Sequence, residues 1–318
     1  MAAEQPKEPE DLEDEGAAAR RRPGRPPVKH SPDVPREGIV AEAPFRSALV
    51  EARFDCPATF KSLFTFFKGM KVKMIYFDFS EAGMVVYALD ASTKSRIRIW
   101  SDGAKMNRYY CKKPITVPVL RSEYMERCFS NIKTQIYVIS FYIRDDDPEN
   151  LTVKYVNSIY GNESKYDFKV CQGEVIPPAL LDINDIIKPE ALLTDYPLSF
   201  ELSSKEFKGT ITDVAGLPYV DIEKVGPRPM HFEYSKTNEM KYNNIWRFPE
   251  KIKLLTSVKD DEAFRCKMLI PNVKPLAISM VTDCVRIYCK AGGGILFKSV
   301  MDNNIIEIAV YVNMESDP

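Results

Sequence analysis

One order of elements occurs twice along the chain, and this repetition narrows the fold more than any single motif does. In the first half, an alternating run over 48–54 reads as a strand and leads into an amphipathic helix beginning at Pro57. Phe60, Leu63, Phe64 and Phe67 recur there at the spacing i, i+3, i+4 and i+7, giving one core-facing stripe, while Lys61, Thr65 and Lys68 fall on another face. Gly69 closes the helix. Strands follow over 74–79, 84–89, 96–99 and 115–118. A second helix over 120–132 carries Arg121 and Arg127 and turns Tyr124, Cys128 and Ile132 inward. Strands over 136–143, 151–158 and 165–171 complete the half.

A connector over 174–195 is punctuated by Pro and Asp yet studded with Leu180, Leu181, Ile183, Ile186, Ile187 and Leu192, as an ordered crossing linker would be. The pattern then returns. Residues 198–202 alternate as a strand, and Ser203-Ser-Lys-Glu206 has the S-x-x-E spacing of a capping box. Phe207, Ile211 and Val214 form the core stripe of the helix it opens, with Lys205, Lys208 and Thr212 on a separate face. Strands over 219–224, 231–235 and 251–258 precede a helix over 269–282, which Pro271 and Pro275 interrupt. Strands over 285–289, 296–300 and 305–312 follow, with Gly292-Gly-Gly294 as a turn. Phe60-Lys61 and Phe207-Lys208 occupy equivalent places in the two halves, 45–173 and 196–315, each of ordinary domain size. The order predicts an α+β fold of two topologically similar domains, each with antiparallel sheets backed by two helices.

Composition excludes several classes. With 45% hydrophobic and 28% charged residues in 318, a packed core is expected. No stretch approaches the roughly 18 apolar residues of a membrane span. The acidic opening is unlike a secretory signal, which predicts a soluble, intracellular protein. Seven cysteines without a C-x-x-C pair argue against a disulfide framework or a zinc knuckle. Only His30 and His231 are present, so acid–base catalysis is thinly supplied and a non-enzymatic protein is expected. Asp145-Asp-Asp147 before Pro148 reads as a hairpin loop, not as nuclease carboxylates. Gly292 to Gly294 lacks the Lys-Ser/Thr of a phosphate loop. Cys284 and Cys289, five apart, fall on opposite faces of a strand. No cofactor and no metal is predicted.

A net charge of −1 hides segregation. Residues 1–16 carry seven acids against Lys7, whereas 17–30 carry Arg20, Arg21, Arg22, Arg25 and Lys29 with no acid. Residues 1–44 show neither helical nor strand periodicity and read as a disordered arm. The remainder is nearly neutral, so any contact with nucleic acid depends on where its bases sit.

The runs Val50-Glu-Ala-Arg-Phe54, Ala88-Leu-Asp-Ala-Ser92, Ser203-Ser-Lys-Glu-Phe207, Met280-Val-Thr-Asp-Cys-Val-Arg-Ile287 and Lys298-Ser-Val-Met-Asp302 resemble, in order and spacing, the sliding-clamp family, proliferating cell nuclear antigen and its viral relatives. The resemblance covers about 45–315. It implies a closed ring, in clamps generally a homotrimer of two-domain subunits, with sheets outside and helices lining a hole around double-stranded DNA. It implies a processivity factor that tethers a replicative DNA polymerase in viral factories of the host cytoplasm, with a nuclear phase left open.

Lys61, Lys68, Lys71, Arg121, Arg127, Lys133, Lys205, Lys208 and Lys274 match places where clamps present bases to DNA. Taken alone, such residues read as solvating groups. By the same analogy the subunit edges are 165–171, with Lys165, Tyr166, Phe168 and Val170, and 229–235, with Met230, Phe232 and Tyr234. Leu89, Ile183, Ile186, Ile187, Val310 and Tyr311 match a partner-docking pocket beneath the connector, and ordinary connector packing accounts for them equally. Arg22-Pro-Gly-Arg25-Pro-Pro27 resembles an AT-hook, in which Arg21, Arg22 and Arg25 would enter the minor groove. It departs from the usual pattern at Pro23 and reads equally as a flexible basic tail. An architectural DNA-binding protein acting through that arm is the alternative to a clamp.

Overall fold

The computed structural model describes residues 47–132, 137–157, 162–236, 240–246, 252–256, 258–279, 282–301 and 304–314. Its first half runs β1 (Ala48–Phe54), α1 (Pro57–Gly69), β2 (Met74–Ser80), β3 (Gly83–Leu89), β4 (Ser95–Asp102), β5 (Arg108–Cys111), β6 (Ile115–Leu120), α2 (Glu123–Ser130), β7 (Tyr137–Arg144), β8 (Asp147–Asn157) and β9 (Glu163–Lys169). The connector holds three short helices, α3 (Pro178–Leu181), α4 (Ile183–Ile186) and α5 (Pro189–Thr194). The second half runs β10 (Leu198–Ser203), α6 (Ser204–Asp213), β11 (Tyr219–Val225), β12 (Met230–Lys236), β13 (Met240–Trp246), β14 (Ile252–Thr256), β15 (Ala263–Leu269), α7 (Ile270–Ser279), β16 (Cys284–Cys289), β17 (Gly294–Met301) and β18 (Ile306–Asn313).

Pairing shows how deep the repetition goes. One sheet has the order β5-β1-β7-β8-β9 and another the order β13-β12-β11-β15. The nine-stranded sheet, β14-β10-β16-β17-β18-β4-β3-β2-β6, joins a second copy of each order. Its first five strands are the second-half counterparts of the five-stranded sheet; its last four are the first-half counterparts of the four-stranded one. The two copies meet where β18 pairs antiparallel with β4, from Ile306↔Ser101 to Val312↔Ser95.

The helices begin where local chemistry satisfies their free amides. Ser122 Oγ accepts from Met125 N, and Ser203 Oγ accepts from Glu206 N, each at 3.2 Å. α1 has no side-chain cap and starts on Pro57, which has no amide hydrogen to satisfy. The helices pack in the row α2–α1–α7–α6. Phe64 of α1 stacks on Phe129 of α2 with ring centroids 3.4 Å apart. The main core gathers Phe60, Phe67, Phe207, Ile211 and Leu276 with the strand residues Ile97, Ile99, Ile308 and Val310. A second cluster on the other side of the nine-stranded sheet holds Tyr76, Tyr87, Leu180, Ile183, Tyr288 and Ala309. The nine-stranded sheet therefore has helices on one face and the connector on the other.

Several expectations need correction. α2 starts at Glu123, and Tyr124 is exposed against Tyr166 and Phe168; Met125, Cys128, Phe129 and Ile132 fill the core. Gly69 does not end α1 through a left-handed backbone. Lys71 takes that conformation, at φ 53°, and a Cβ on Gly69 would lie 2.7 Å from Pro275 Cβ. Strands β5, β13 and β15 were not expected. Pro275 lies inside α7, which is described from Ile270 to Ser279; residues 280 and 281 of the expected helix lie outside the described residues. Asp145 and Asp146 form the tight β7–β8 turn, with Lys112 on Asp145 and Arg144 on Asp146.

Candidate nucleic-acid interface

The row of helices brings most of the sequence-predicted bases to one layer. The internal repeat reaches their hydrogen bonds: Thr65 Oγ1 donates to Lys61 O at 2.8 Å, and Thr212 Oγ1 donates to Lys208 O at 2.7 Å. Lys205 and Lys208 are exposed, and among the described residues neither forms an ion pair. Lys274 is half-buried on α7.

On α1 and α2 the bases are not free. Lys61 Nζ donates to Ile132 O at 3.1 Å, just beyond the C-terminus of α2, where a cation also offsets the negative end of the helix dipole. Lys68 lies 2.9 Å from Glu126, and Arg121 pairs with the other oxygen of the same carboxylate. The Lys68 hydrogen bond, aided by the Arg121 guanidinium and opposed by burial, holds the Glu126 carboxyl below the usual carboxylate range. Arg121 also donates through Nε to Val72 O at 2.5 Å and is only 17% exposed, so it braces the α2 entry and does not project from it. Arg127 stands 3.9 Å from Glu123. A cavity of about 550 Å³ opens between the two helices, with Phe64 and Phe129 among its lining and Lys61, Lys68, Glu123, Glu126 and Arg127 around it. Lys71 lies past the end of α1 and outside its polar face. Lys133, Arg21, Arg22 and Arg25 lie outside the described residues.

The acids were the missed component. Glu123 and Glu126 are three apart and legible in sequence as members of the same exposed face as Arg127, but their reach to Lys68 and Arg121 depends on how α1 and α2 pack.

Of the two expected edge strands, β9 ends its sheet and the second does not. β9 pairs with β8 along its length, and among the described residues no strand pairs with its outer side; just past its end, Val170 bridges to Val119. Lys165 pairs with Asp167 at 3.3 Å, Tyr166 packs on Tyr124 and Tyr155, and Phe168 is buried. Met230, Phe232 and Tyr234 do not lie on an edge. Their strand, β12, has β11 on one side and β13 on the other, and all three side chains are buried. The edge is β13, missed because the asparagines in Met240-Lys-Tyr-Asn-Asn-Ile-Trp246 lower its strand propensity.

At the connector, Leu89, Ile186, Ile187 and Tyr311 gather half-buried around the second cluster. Ile183 is fully buried and anchors the connector. Val310 is misassigned: it points into the helix-side core, because strand alternation sends it opposite to Ala309 and Tyr311. Asn184 was not anticipated. Its amide exchanges hydrogen bonds with Tyr87 Oη at 3.1–3.2 Å, and its Oδ1 accepts from Arg98 Nε at 2.9 Å, which fixes α4 over β3 and β4.

No family model matches the chain. An uncharacterized protein of African swine fever virus, from the Kenya pig isolate, is 31% identical over 298 residues, covering 93% of this chain and 98% of the relative. The corresponding protein of the Badajoz strain is 32% identical over 286 residues, covering 89% and 94%. Among solved structures, proliferating cellular nuclear antigen from Entamoeba histolytica superposes with a TM-score of 0.66 at 14% identity, covering 85% of this chain and all of that one. The chain thus has the fold of proliferating cell nuclear antigen and belongs to the family of this African swine fever virus protein.

Proposed function

We propose that the chain is a DNA sliding clamp: identical copies join head to tail into a ring around duplex DNA and tether a replicative polymerase to it. One observation carries this reading. Within the chain, β18 of the second half pairs with β4 of the first. The counterparts of those two strands, β9 in the first half and β13 in the second, each end a sheet. Repeating the β18–β4 pairing as β9 on β13 of the next copy extends each sheet by the rule already used inside the chain. A head-to-tail contact of this kind closes into a ring when its rotation allows. Three copies, divided at 45–173, 174–195 and 196–315, are the proposed assembly.

The helix layer would then face DNA. Its bases act by diffuse attraction to phosphates, without reading sequence, as sliding requires. Pairing with Glu123 and Glu126 weakens that attraction on the first half. The arm bearing Arg21, Arg22 and Arg25 is proposed as a minor-groove anchor that supplements it. The connector face, with Leu89, Ile186, Ile187 and Tyr311, is proposed as the polymerase contact. Action in cytoplasmic replication factories, and the absence of enzymatic activity, complete the reading.

Light scattering on the full chain tests the assembly. The expected mass is three times the 36.3 kDa subunit, falling to one subunit in one of the two single variants Asn243→Pro and Asn244→Pro, because amides alternate along β13 and one of these two points to the open edge. A wild-type mass of one subunit at micromolar concentration overturns the ring. Deleting residues 1–44 separates the architectural alternative: a clamp keeps its mass and its hold on circular DNA, and an arm-driven binder loses DNA altogether.

A further inference from the structure

Two thiols meet in the core of the second half. β15 alternates so that Phe264, Cys266 and Met268 turn inward, and on β16 Val285, Ile287 and Cys289 do the same. These strands belong to different sheets: β15 ends the four-stranded sheet, and β16 lies inside the nine-stranded one. Cys266 and Cys289 therefore enter one core from two sides, and their thiols are in hydrogen-bond contact. The surrounding chain holds them there. Leu269 N donates to Met314 Sδ at 3.3 Å, which fastens the end of β15 beside the end of β18. Asn313 of β18 stands opposite Gly294, and the next residue, Ile295, stands opposite Cys289. The first half has no such pair. Val117 faces Phe77 on β2 as Cys266 faces Ile222 on β11, and Ile143 faces Val50 on β1 as Cys289 faces Leu198 on β10. Both positions of the contact are thus aliphatic in one half and thiols in the other.

We propose that Cys266 and Cys289 form a reversible disulfide when the protein meets a hydroperoxide. Cys266 is oxidised first: it is 6% exposed against 0% for Cys289, and among the described residues its strand pairs only with β11, so local opening of that edge admits a molecule as small as hydrogen peroxide. The Cys266 sulfur takes one oxygen as the O–O bond breaks, giving a sulfenic acid and one water. The Cys289 sulfur then attacks that sulfur; the S–S bond forms as the S–O bond breaks, and the Cys289 proton leaves with the hydroxyl as a second water. Two thiols are oxidised and one peroxide is reduced. Burial, with the neighbouring Cys266 thiol adding to it, raises the Cys289 pKa well above the ordinary thiol range, so Cys289 keeps its proton until this step. The cross-link closes a loop that contains α7 and ties the sheet ending in β13 to the nine-stranded sheet. A thiol reductant reverses it. The site lies outside the helix layer and the connector, and it stands or falls independently of the clamp reading.

The test treats the full chain with hydrogen peroxide, alkylates the remaining thiols in urea and maps cross-linked peptides by mass spectrometry. A peptide joining Cys266 to Cys289, lighter by two hydrogens than its parts, is expected, and dithiothreitol should abolish it. The thermal unfolding midpoint should rise by at least about 5 °C on oxidation, because the closed loop restricts the unfolded chain. With dimedone present, Cys289→Ala should accumulate an adduct on Cys266, whose sulfenic acid then meets no thiol; Cys266→Ala should accumulate none on Cys289. Recovery of both cysteines as free thiols, at a dose that oxidises the half-buried Cys56 and Cys171, overturns the proposal. So does a cross-link from Cys266 to any other cysteine, or one that forms only in the unfolded protein.

Discussion

Glu126 lies 2.9 Å from Lys68 through one carboxylate oxygen and pairs with Arg121 through the other, so a single acid on α2 occupies two bases of the helix layer. Glu126→Gln should release Lys68, which is two-thirds exposed, to solvent and to phosphate. Binding to duplex DNA should tighten, and the slope of log affinity against log salt should steepen by about 0.9 as Lys68 neutralises one further phosphate. An unchanged slope in a salt titration would mean that this helix face does not meet DNA.

The buried thiol of Cys128 makes an alkaline prediction. Burial raises its pKa from the ordinary 9.0 to about 12. Between those values the folded state holds a proton that the unfolded state has released, so stability is intact below about 9 and falls as pH rises toward about 12. Thermal unfolding measured across this range should show a smaller decline in Cys128→Ala than in the wild type, on a lower starting stability. Parallel declines would contradict the assignment.

Gly69 sits where α1 of the first half crosses α7 of the second. A methyl group there would meet Pro275 Cβ at 2.7 Å, and neither helix backbone can yield freely. Gly69→Ala should therefore cost about 1–3 kcal/mol in urea unfolding, against the gain that alanine gives in an open helix. Adding Pro275→Ala should return part of the loss; additive losses in the double variant would place the strain elsewhere.

Asn184 ties the connector to β3 and β4 through Tyr87 and Arg98. Asn184→Ala leaves the half-buried tyrosine hydroxyl and the Arg98 Nε without that partner, at a cost of about 1–3 kcal/mol. Limited proteolysis should then cut first within 174–195, with the sheets intact. Cleavage at wild-type rates would show that the apolar anchors Leu180 and Ile183 hold the connector by themselves.

How far the sequence carried the fold follows from which signals are local. Stripes such as Phe60, Leu63, Phe64 and Phe67, and the Ser203 cap, report on their own helices, and the helices stand where those residues put them. The strand alternation of Phe264, Cys266 and Met268 was equally legible, although β15 was not expected. β13 was hidden by asparagines, and that omission moved the sheet edge onto β12. The bases of the helix layer were legible as types and positions, but Lys61 on Ile132 O and Lys68 on Glu126 join residues far apart in the chain, and no spacing announces them. Val310 is a different case: strand alternation alone puts it on the face opposite Tyr311, so assigning both to one pocket overlooked a local signal.

The central claim is topological, and retention on DNA of different end structure tests it most directly. Chain bound to nicked circular plasmid is expected to remain through a high-salt wash, to run off when the plasmid is linearised, and to stay on linear DNA whose ends are blocked by bulky protein. Equal retention on circular and open linear DNA would contradict an encircling ring.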